Sequence, residues 1–532
     1  MGKLFGTDGI RGVANKELSV DLAMEVAQAA GTVIKEKIGR KPRFVIGRDT
    51  RLSSSMLESA MAAGLCSVGC DVQMLGVVPT PAVAYLVGKY KADAGIMISA
   101  SHNPYEHNGI KMFSSEGFKL SDALEARIEE LILREGELPV KTHGQIGQVM
   151  SGSFAAEYYL DHLASTVEDL EPLRVLIDCA NGAASTTARY LFGRFPLQAE
   201  YLNDKPNGVN INEGCGSTHL EALCAAVKDG GYDLGIAFDG DADRCLTVDE
   251  QGKPIDGDRM MAICAESLEQ KGRLQGDGFV ATVMSNIGLH RFCKERGLRL
   301  LCANVGDRNV LELMQKEGMR LGGEQSGHII FLDYMPTGDG QLAALQLLSI
   351  LSHSKKKASG LASAVRQYPQ LLKNVRVSSN DQKTAIMQSA SLQSAIRAAE
   401  EELGENGRVL IRPSGTEPLI RVMVEAGTQQ QAQAVTVLVA DATCLRRNLQ
   451  LAVQLRCRTG RLVVCVNLMD EARIDEVVGQ QLADKKFGAD IVQLAPGDRL
   501  HAVGALLPHK FQQCQIQLLI GAVCQQLAGD TL

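Results

Sequence analysis

The chain of 532 residues contains no tryptophan, and aromatic residues make up only 4% of it. Its cores must therefore be built from aliphatic side chains, within the 45% of residues that are hydrophobic. A basic excess is also lacking, because 55 lysines and arginines stand against 62 aspartates and glutamates, a net charge of −7. A nucleic-acid-binding face needs clustered positive charge, so the composition argues against nucleic acid as a partner.

Long apolar runs and closely paired cysteines are missing as well. Because no stretch of about 18 apolar residues occurs, no membrane span is expected, and the first residues lack the apolar segment of a secretory leader. The 14 cysteines form no C-x-x-C pair, and the closest two, Cys66 and Cys70, are four residues apart. We interpret the cysteines as small buried hydrophobes in a reducing cytoplasm, in preference to a redox or zinc role.

Over roughly its first 365 residues the chain repeats one order of elements. A short apolar strand ends in a Gly- or Asp-rich turn, and an amphipathic helix follows. This alternation predicts mixed α/β units with largely buried sheets. Polar clusters follow the strands, at the carboxyl ends where chemistry collects in such folds.

Loops and changes of composition predict five segments. They are three mixed α/β domains over 1–150, 151–255 and 256–365, a smaller α+β domain over 366–434, and a truncated α/β fragment over 435–532. The last segment opens with a strand predicted over 435–440, where the character of the chain changes.

Three aspartates alternate with small residues after a predicted strand, at Asp239, Asp241 and Asp243. Carboxylates this close repel one another unless a cation joins them. A hard divalent ion with oxygen ligands resolves the repulsion, and Mg²⁺ is the default choice inside cells. An EF-hand loop would use these residues and Glu250, but Arg244 stands where that loop needs glycine. An ordinary acidic turn is the other alternative.

The segment Ser99-Ala-Ser-His-Asn-Pro-Tyr-Glu-His-Asn-Gly-Ile-Lys111 gathers a hydroxyl, imidazoles, amides and a lysine after another predicted strand. Ser101 is the candidate nucleophile. No G-x-S-x-G elbow surrounds it, so a hydrolase triad is not indicated. Phosphoryl chemistry beside an acidic metal loop fits better, and a capped turn is the structural alternative.

A third polar segment, between two strand-like runs, has the composition of a phosphate-binding loop. It offers the hydroxyls of Ser414 and Thr416, the conformationally free Gly415, and a guanidinium group from Arg412 or Arg421. A plain Pro/Gly turn would also account for its composition.

Two more segments are rich in glycine and polar groups. In Gly322-Gly-Glu-Gln-Ser-Gly-His328, alternate side chains of an extended segment share a face, so Glu324 and Ser326 could grip adjacent sugar hydroxyls. Near the start of the chain, glycines surround Thr7 and Arg11. Each segment could also be only a turn.

Taken in order, five segments resemble the signature motifs of the α-D-phosphohexomutase superfamily, and more closely those of bacterial phosphoglucosamine mutases. The motifs are Lys3-Leu-Phe-Gly-Thr-Asp-Gly-Ile-Arg-Gly12, Ile98-Ser-Ala-Ser-His-Asn-Pro104, Asp239-Gly-Asp-Ala-Asp-Arg244, Gly323-Glu-Gln-Ser-Gly-His328 and Arg412-Pro-Ser-Gly-Thr-Glu-Pro418. The resemblance covers residues 1 to about 433. Its Glu-Gln-Ser sugar motif favours glucosamine phosphate over glucose or mannose phosphate.

The resemblance implies an Mg²⁺-dependent mutase that interconverts glucosamine 6-phosphate and glucosamine 1-phosphate. The reaction would pass through a phosphoserine at Ser101 and a glucosamine bisphosphate, which also serves as primer. Ser101 and the three aspartates would hold the ion, and Arg244 would help neutralise the transferring group. The other implied roles are proton transfer or charge stabilisation by Lys111, His328 and Arg11, sugar binding by Glu324 and Ser326, and binding of the non-reacting phosphate by Arg412, Ser414, Gly415, Thr416 and Arg421.

From about Val435 the chain instead resembles the G domain of bacterial ferrous-iron transporters. Asn467 and Asp470 match an N-x-x-D guanine-reading motif. No G-x-x-x-x-G-K-[ST] phosphate loop occurs in the chain, so we interpret this segment as a fused fragment and not as a working GTPase.

Two alternatives stand beside the glucosamine mutase. One is a phosphomannomutase or phosphoglucomutase, and the other is an inactive mutase fused to a guanine-nucleotide-binding fragment. A phosphosugar is the expected partner and the cytoplasm the expected location, and the sequence leaves a homodimer open.

Overall fold

The computed structural model describes residues 4–6, 8–134, 138–377, 379–414 and 419–444. They divide into two compact units, one ending at Arg366 and the other beginning at Gln367. Within these ranges, no helix combines the length and the apolar character that crossing a membrane requires. Nine cysteines in the same ranges are free thiols, and seven of them are buried, as expected of small hydrophobes.

The first unit starts with a six-stranded sheet in the order β1-β5-β4-β2-β3-β6. Its elements are β1 (Ile10–Val13), α1 (Val20–Ile38), β2 (Arg43–Arg48), α2 (Ser54–Ser67), β3 (Asp71–Val77), α3 (Thr80–Lys89), β4 (Ala94–Ile98), β5 (His107–Ser114), α4 (Asp122–Leu133) and β6 (Val149–Ser151). Strand β5 runs antiparallel to β1 and β4, whereas β2 is parallel to β3 and β4. The carboxyl ends of β2, β3 and β4 therefore share one edge.

A five-stranded sheet comes next, in the order β11-β10-β9-β7-β8. Its elements are α5 (Ala155–Ala164), β7 (Leu173–Asp178), α6 (Ala188–Phe192), β8 (Leu197–Leu202), α7 (Glu221–Gly230), β9 (Leu234–Phe238), β10 (Cys245–Asp249) and β11 (Pro254–Ile255). All five residues of β9 are buried, as its unbroken apolar run predicts for a central strand.

A four-stranded sheet in the order β13-β12-β14-β15 completes the first unit. Its elements are α8 (Gly257–Gln270), β12 (Gly278–Thr282), α9 (Ile287–Arg296), β13 (Arg299–Ala303), α10 (Asp307–Glu317), β14 (Leu321–Gly323), β15 (Ile329–Phe331), α11 (Gly340–His353) and α12 (Ala358–Ala362). Val83 of α3, Tyr159 of α5 and Leu345 of α11 belong to one buried cluster, which ties the three sheets together.

The second unit is a smaller α+β arrangement around an antiparallel sheet in the order β16-β18-β17. Its elements are β16 (Gln370–Arg376), α13 (Asn380–Met387), α14 (Ala390–Leu403), β17 (Arg408–Pro413), β18 (Leu419–Glu425) and α15 (Gln429–Cys444). The expected fold of three mixed α/β domains followed by a smaller α+β domain is confirmed. The five segment boundaries stay predictions.

The strand predicted over 435–440 is wrong, because these residues belong to α15. A short apolar run suits a strand or a buried helix equally well by pattern alone. Here Ala432 and Val435, three residues apart and on one helical face, join the core of the second unit beside Leu392 and Val424. Packing therefore decided the conformation. The fused fragment beyond residue 444, with Asn467 and Asp470, lies outside the described residues.

Two truncations should distinguish the contribution of α15 from that of the residues beyond it. Deleting residues from 435 onward removes Val435 and Thr436, both buried, and more than half of α15, a helix that packs on α14, β16 and β18. We expect this deletion to lower the free energy of unfolding of the second unit by at least about 2 kcal/mol relative to deletion from 445. Hydrogen exchange of the β16–β18 amides measures the difference, and equal protection in both truncated chains would contradict it.

Candidate active site

Ser101 lies on a loop just beyond the end of β4, with its side chain buried. Its φ of 53° falls in the left-handed region, which costs a non-glycine residue energy and persists only where the surroundings impose it. The Ser101 amide donates a hydrogen bond to Ser99 Oγ at 3.0 Å. The remaining restraints come from residues far away in the chain.

Arg51 follows the carboxyl end of β2 and is fully buried. Its side chain binds the backbone of the Ser101 loop. Its Nη2 donates to the carbonyl oxygens of Ser101 and Asn103, both at 2.8 Å, and its charge is balanced by Asp49, whose Oδ2 lies 2.8 Å from Nε. From the second sheet, Asn212 Nδ2 donates to the same two carbonyls, at 2.9 and 3.1 Å. Two segments thus fix the loop that carries the candidate nucleophile.

The three predicted metal ligands follow β9, and each offers a carboxylate oxygen within 4.8 Å of the others. Ser101 Oγ donates a hydrogen bond to Asp239 Oδ2 at 2.6 Å. Gly240 permits this approach, because a Cβ there would stand 2.6 Å from the Ser101 carbonyl oxygen. The nucleophile and the acidic loop predicted from sequence therefore meet at one point.

Oδ1 of Asp241 and Oδ1 of Asp243 are buried and make no hydrogen bond, although Asp243 Oδ1 lies 3.8 Å from His328 Nδ1 and 3.9 Å from Arg244 Nε. Buried carboxylate oxygens without partners are costly, and an oxygen-seeking divalent cation would satisfy them. The donor set therefore fits Mg²⁺. An EF-hand is excluded, since a strand precedes the loop and Glu250 accepts hydrogen bonds from Ser359.

The charged groups of this cluster shift one another's pKa values. Burial, together with the nearby Asp243 and Asp241, raises the pKa of Asp239 well above its usual range. Burial alone would also raise the pKa of Asp243, but Lys111 and His328 outweigh it and hold that pKa low. Lys111 on β5 donates to Asp241 Oδ2 at 2.6 Å and to Asp243 Oδ2 at 3.3 Å. Burial alone would lower the pKa of Lys111, but these two aspartates outweigh it and raise that pKa.

His102 lies beside the Ser101 hydroxyl, with its Nδ1 3.4 Å from Ser101 Oγ, and two arginines lie near the His102 ring. Arg244 Nη1 lies 3.2 Å from His102 Nδ1, and burial together with Arg244 and Arg11 lowers the pKa of His102 to about 4. The ring is therefore neutral at physiological pH. Nε of Arg11 and Nε of Arg244 are buried donors without a hydrogen-bond partner, which suits an anionic group such as a phosphoryl oxygen.

A chain of ion pairs connects Arg11 to a residue beside the third sheet. Arg11 Nη2 lies 3.2 Å from Asp8 Oδ2. Lys119 Nζ contacts Asp8 at 3.2 Å and Asp307, at the start of α10, at 2.7 Å. The glycine-rich segment near the start of the chain is thus more than a turn, because it positions Arg11. Thr7 lies outside the described residues.

The predicted sugar-binding residues follow β14. Glu324 Oε1 accepts the Gly306 amide at 3.0 Å, and its Oε2 accepts the Ser326 hydroxyl at 3.1 Å. His328 Nε2 accepts the Gly338 amide at 3.2 Å, so the neutral ring carries its proton on Nδ1, which lies 3.8 Å from Asp243 Oδ1. Burial opposes protonation of His328, but Asp243 outweighs it and raises the pKa.

The candidate phosphate-binding residues belong to the second unit. Arg412 on β17 and Arg421 on β18 are direct cross-strand partners. Residues directly opposite one another in an antiparallel pair present their side chains on the same face of the sheet, and two arginines on one face are the residue type that binds a phosphate group. Ser414 is buried, and its carbonyl oxygen accepts a hydrogen bond from Lys383 at 2.6 Å. Gly415 and Thr416 lie outside the described residues.

Sequence analysis gave no role to Arg51, Asn212, Thr80 or Lys119. Their place after predicted strands could have identified two of them. Arg51 and Thr80 follow β2 and β3, and they therefore lie at the same edge of the sheet as Ser101, which follows β4. Thr80 Oγ1 donates to Asp241 Oδ2 at 2.6 Å.

Models of the phosphoglucomutase/phosphomannomutase family match four successive parts of the chain: alpha/beta/alpha domain I over 2–138, domain II over 157–252, domain III over 256–368 and the C-terminal domain over 372–442. A model of ferrous iron transport protein B matches residues 420–499. That match overlaps β18 and α15, which are elements of the second unit.

Two curated relatives are bacterial phosphoglucosamine mutases. The protein from Geobacillus kaustophilus is 50% identical over 444 residues, covering 83% of this chain and 98% of its own. The protein from Bacillus cereus (strain AH187) is 50% identical over 436 residues, covering 82% and 96%.

Among solved structures, a phosphoglucomutase/phosphomannomutase family protein from Burkholderia thailandensis superimposes with a TM-score of 0.70 at 25% identity, covering 84% of this chain and 99% of its own. Aspergillus fumigatus N-acetylphosphoglucosamine mutase, solved in complex with GlcNAc-6P and magnesium, gives a TM-score of 0.60 at 19% identity and covers 83% and 95%. The second likeness shows the fold alone.

Proposed function

The chain belongs to the phosphoglucomutase/phosphomannomutase family and is a phosphosugar mutase, and on that basis we propose that it interconverts glucosamine 6-phosphate and glucosamine 1-phosphate. Support for glucosamine comes from the Glu-Gln-Ser sugar motif at residues 324–326 and from relatives named phosphoglucosamine mutases at 50% identity. The observation that carries the chemistry is the hydrogen bond of 2.6 Å from Ser101 Oγ to Asp239, beside two carboxylates that each have a buried oxygen without a hydrogen bond.

In this proposal Ser101 stores a phosphoryl group. A sugar hydroxyl attacks the phosphorus, so the new sugar O–P bond forms as the Ser101 Oγ–P bond breaks, and the hydroxyl proton passes to a nearby base. His328 is the candidate for accepting that proton, and Lys111 and Arg11, which stay protonated, are the candidates for stabilising the developing negative charge. Phosphoryl transfer depends mainly on positioning and charge neutralisation, which the rigid Ser101 loop and Arg244 would supply.

The residues that would hold Mg²⁺ are Asp239, Asp241, Asp243 and Ser101. When bound, the ion supplies positive charge beside the transferring phosphoryl oxygens. Lys111 contributes a further fixed positive charge between Asp241 and Asp243. The polar groups of the chain are thus preorganised for an anion at the Ser101 hydroxyl.

A mutase must return the second phosphate of its bisphosphate intermediate to the same serine. The intermediate therefore turns over, so that either end can react while the other end is held. We assign the holding role to Arg412, Ser414, Gly415, Thr416 and Arg421, and the recognition of sugar hydroxyls to Glu324 and Ser326. The position of Arg412 directly opposite Arg421 on neighbouring strands supports this division.

A competition assay tests the proposed substrate. With a bisphosphate primer, glucosamine 6-phosphate, glucose 6-phosphate and mannose 6-phosphate are offered at equal concentration. We expect glucosamine 6-phosphate to be converted at least about tenfold more efficiently, a difference of about 1.4 kcal/mol in transition-state binding. Preference for glucose or mannose phosphate would establish the alternative phosphoglucomutase or phosphomannomutase, and turnover of none would favour the inactive alternative.

A cytoplasmic location also stays a prediction, resting on the free and mostly buried cysteines. A homodimer remains an expectation for solution measurements. The guanine-binding alternative depends on Asn467 and Asp470, and binding of labelled GDP to the whole chain would decide it.

A further inference from the structure

Thr80 is a buried residue at the first position of α3, and it contacts the acidic loop of the next sheet twice. Its Oγ1 donates to Asp241 Oδ2 at 2.6 Å, and its backbone amide donates to the Asp241 carbonyl oxygen at 2.9 Å. The two residues are 161 positions apart in the chain. Thr80 thus fixes both the backbone and the carboxylate of one candidate metal ligand.

The two oxygens of the Asp241 carboxylate differ sharply. Oδ2 accepts two hydrogen bonds, from Thr80 and from Lys111, each at 2.6 Å. Oδ1 is buried and accepts none. A carboxylate that accepts two hydrogen bonds through one oxygen cannot rotate freely, so the direction of the other oxygen is fixed as well. Asp241 offers one carboxylate oxygen to the cluster formed with Asp239 and Asp243.

We propose that Thr80 is a positioning residue that orients Asp241 Oδ1 for a divalent cation. The inference rests on the metal site of the proposed function. Groups that hydrogen-bond to metal ligands fix ligand orientation, and their loss typically lowers metal affinity by about 10- to 100-fold. Thr80 acts without adding charge, whereas Lys111, the other donor, brings a positive charge that opposes a cation.

The role of Thr80 also makes the metal site depend on two sheets. Asp241 lies on the loop after β9, while Thr80 and Lys111 belong to the first sheet and its helices. The orientation of the ligand is therefore set by the packing of α3 against the acidic loop, and not by that loop alone.

Three variants of the full-length chain test the proposal. Thr80→Val removes the hydroxyl with little change of volume, and Thr80→Ser retains it. Thr32→Val is the matched control, because Thr32 Oγ1 donates only to the Gln28 carbonyl within α1. Calorimetric titration with Mg²⁺ gives the dissociation constants, and thermal unfolding confirms that each variant is folded.

We expect Thr80→Val to raise the Mg²⁺ dissociation constant by at least about tenfold, with Thr80→Ser and Thr32→Val within about threefold of the unmodified chain. If Thr80→Val does not fold, Thr80→Ala takes its place with the same expectation. Equal Mg²⁺ affinity in the hydroxyl-free variant and the unmodified chain would overturn the role of Thr80 while leaving the metal site intact. Absence of Mg²⁺ binding by the unmodified chain would instead overturn the metal site.

Discussion

Ser101→Ala is expected to lower mutase turnover by roughly a thousandfold or more, because it removes the hydroxyl that would carry the stored phosphoryl group beside Asp239. Neither His102 nor the acidic loop offers a hydroxyl in its place. The loop itself should stay folded, since Arg51 and Asn212 bind its backbone carbonyls and not the Ser101 side chain. A coupled assay with glucosamine 6-phosphate and a bisphosphate primer measures the loss.

Ser59→Ala is the matched control for that loss. Ser59 is exposed on α2, and its hydroxyl donates only to the Ser55 carbonyl of the same helix. This variant should retain full turnover. Residual activity of Ser101→Ala within tenfold of the control would refute the covalent role of Ser101.

The second large effect concerns the acidic loop. Asp243→Asn is expected to lower turnover by about a hundredfold or more, because it removes one of three negative charges that would hold Mg²⁺ beside the reacting group. Chelation of divalent ions from the unmodified chain should cause a comparable loss, which added Mg²⁺ restores. Asp161→Asn is the control, since Asp161 is exposed and pairs only with Arg194 within the first unit.

The stability of the same variant distinguishes a metal ligand from a structural aspartate. Without divalent ions, Asp243→Asn removes a carboxylate whose pKa Lys111 and His328 hold low against burial, so its melting temperature should fall below that of the unmodified chain. With Mg²⁺, only the unmodified chain should gain stability, because a ligand stabilises the folded state it binds. Equal gains in both chains would contradict the assignment of Asp243 as a ligand.

The sequence places both Ser101 and the acidic loop directly after buried strands, where chemistry collects in an α/β sheet. Because β4 and β9 belong to different sheets, this pattern alone does not bring the two loops together, and only the family resemblance predicts that they meet. The motif order then assigned each loop a chemical role. The sequence pattern could not give the distance of 2.6 Å between Ser101 Oγ and Asp239 Oδ2, which belong to residues 138 positions apart in the chain.

The supporting contacts were beyond sequence reasoning for the same physical reason. Arg51 and Asn212 reach the Ser101 carbonyl from 50 and 111 residues away, and nothing in their local sequence distinguishes a buried clamp from an ordinary polar turn. Likewise, the apolar run at 435–440 carries no mark of helix or strand until it packs against the sheet of the second unit. Local pattern limits the possible structures, and long-range packing selects among them.

Transfer of label from a bisphosphate to the protein is the most direct test of the phosphoserine mechanism. The full-length chain is incubated with glucosamine bisphosphate carrying radioactive phosphorus, and its peptides are mapped. We predict about one labelled phosphoryl group per chain, located on Ser101, which passes into sugar bisphosphate when unlabelled glucosamine 6-phosphate is added. Turnover of glucosamine 6-phosphate with no label on Ser101 at any time would contradict the mechanism.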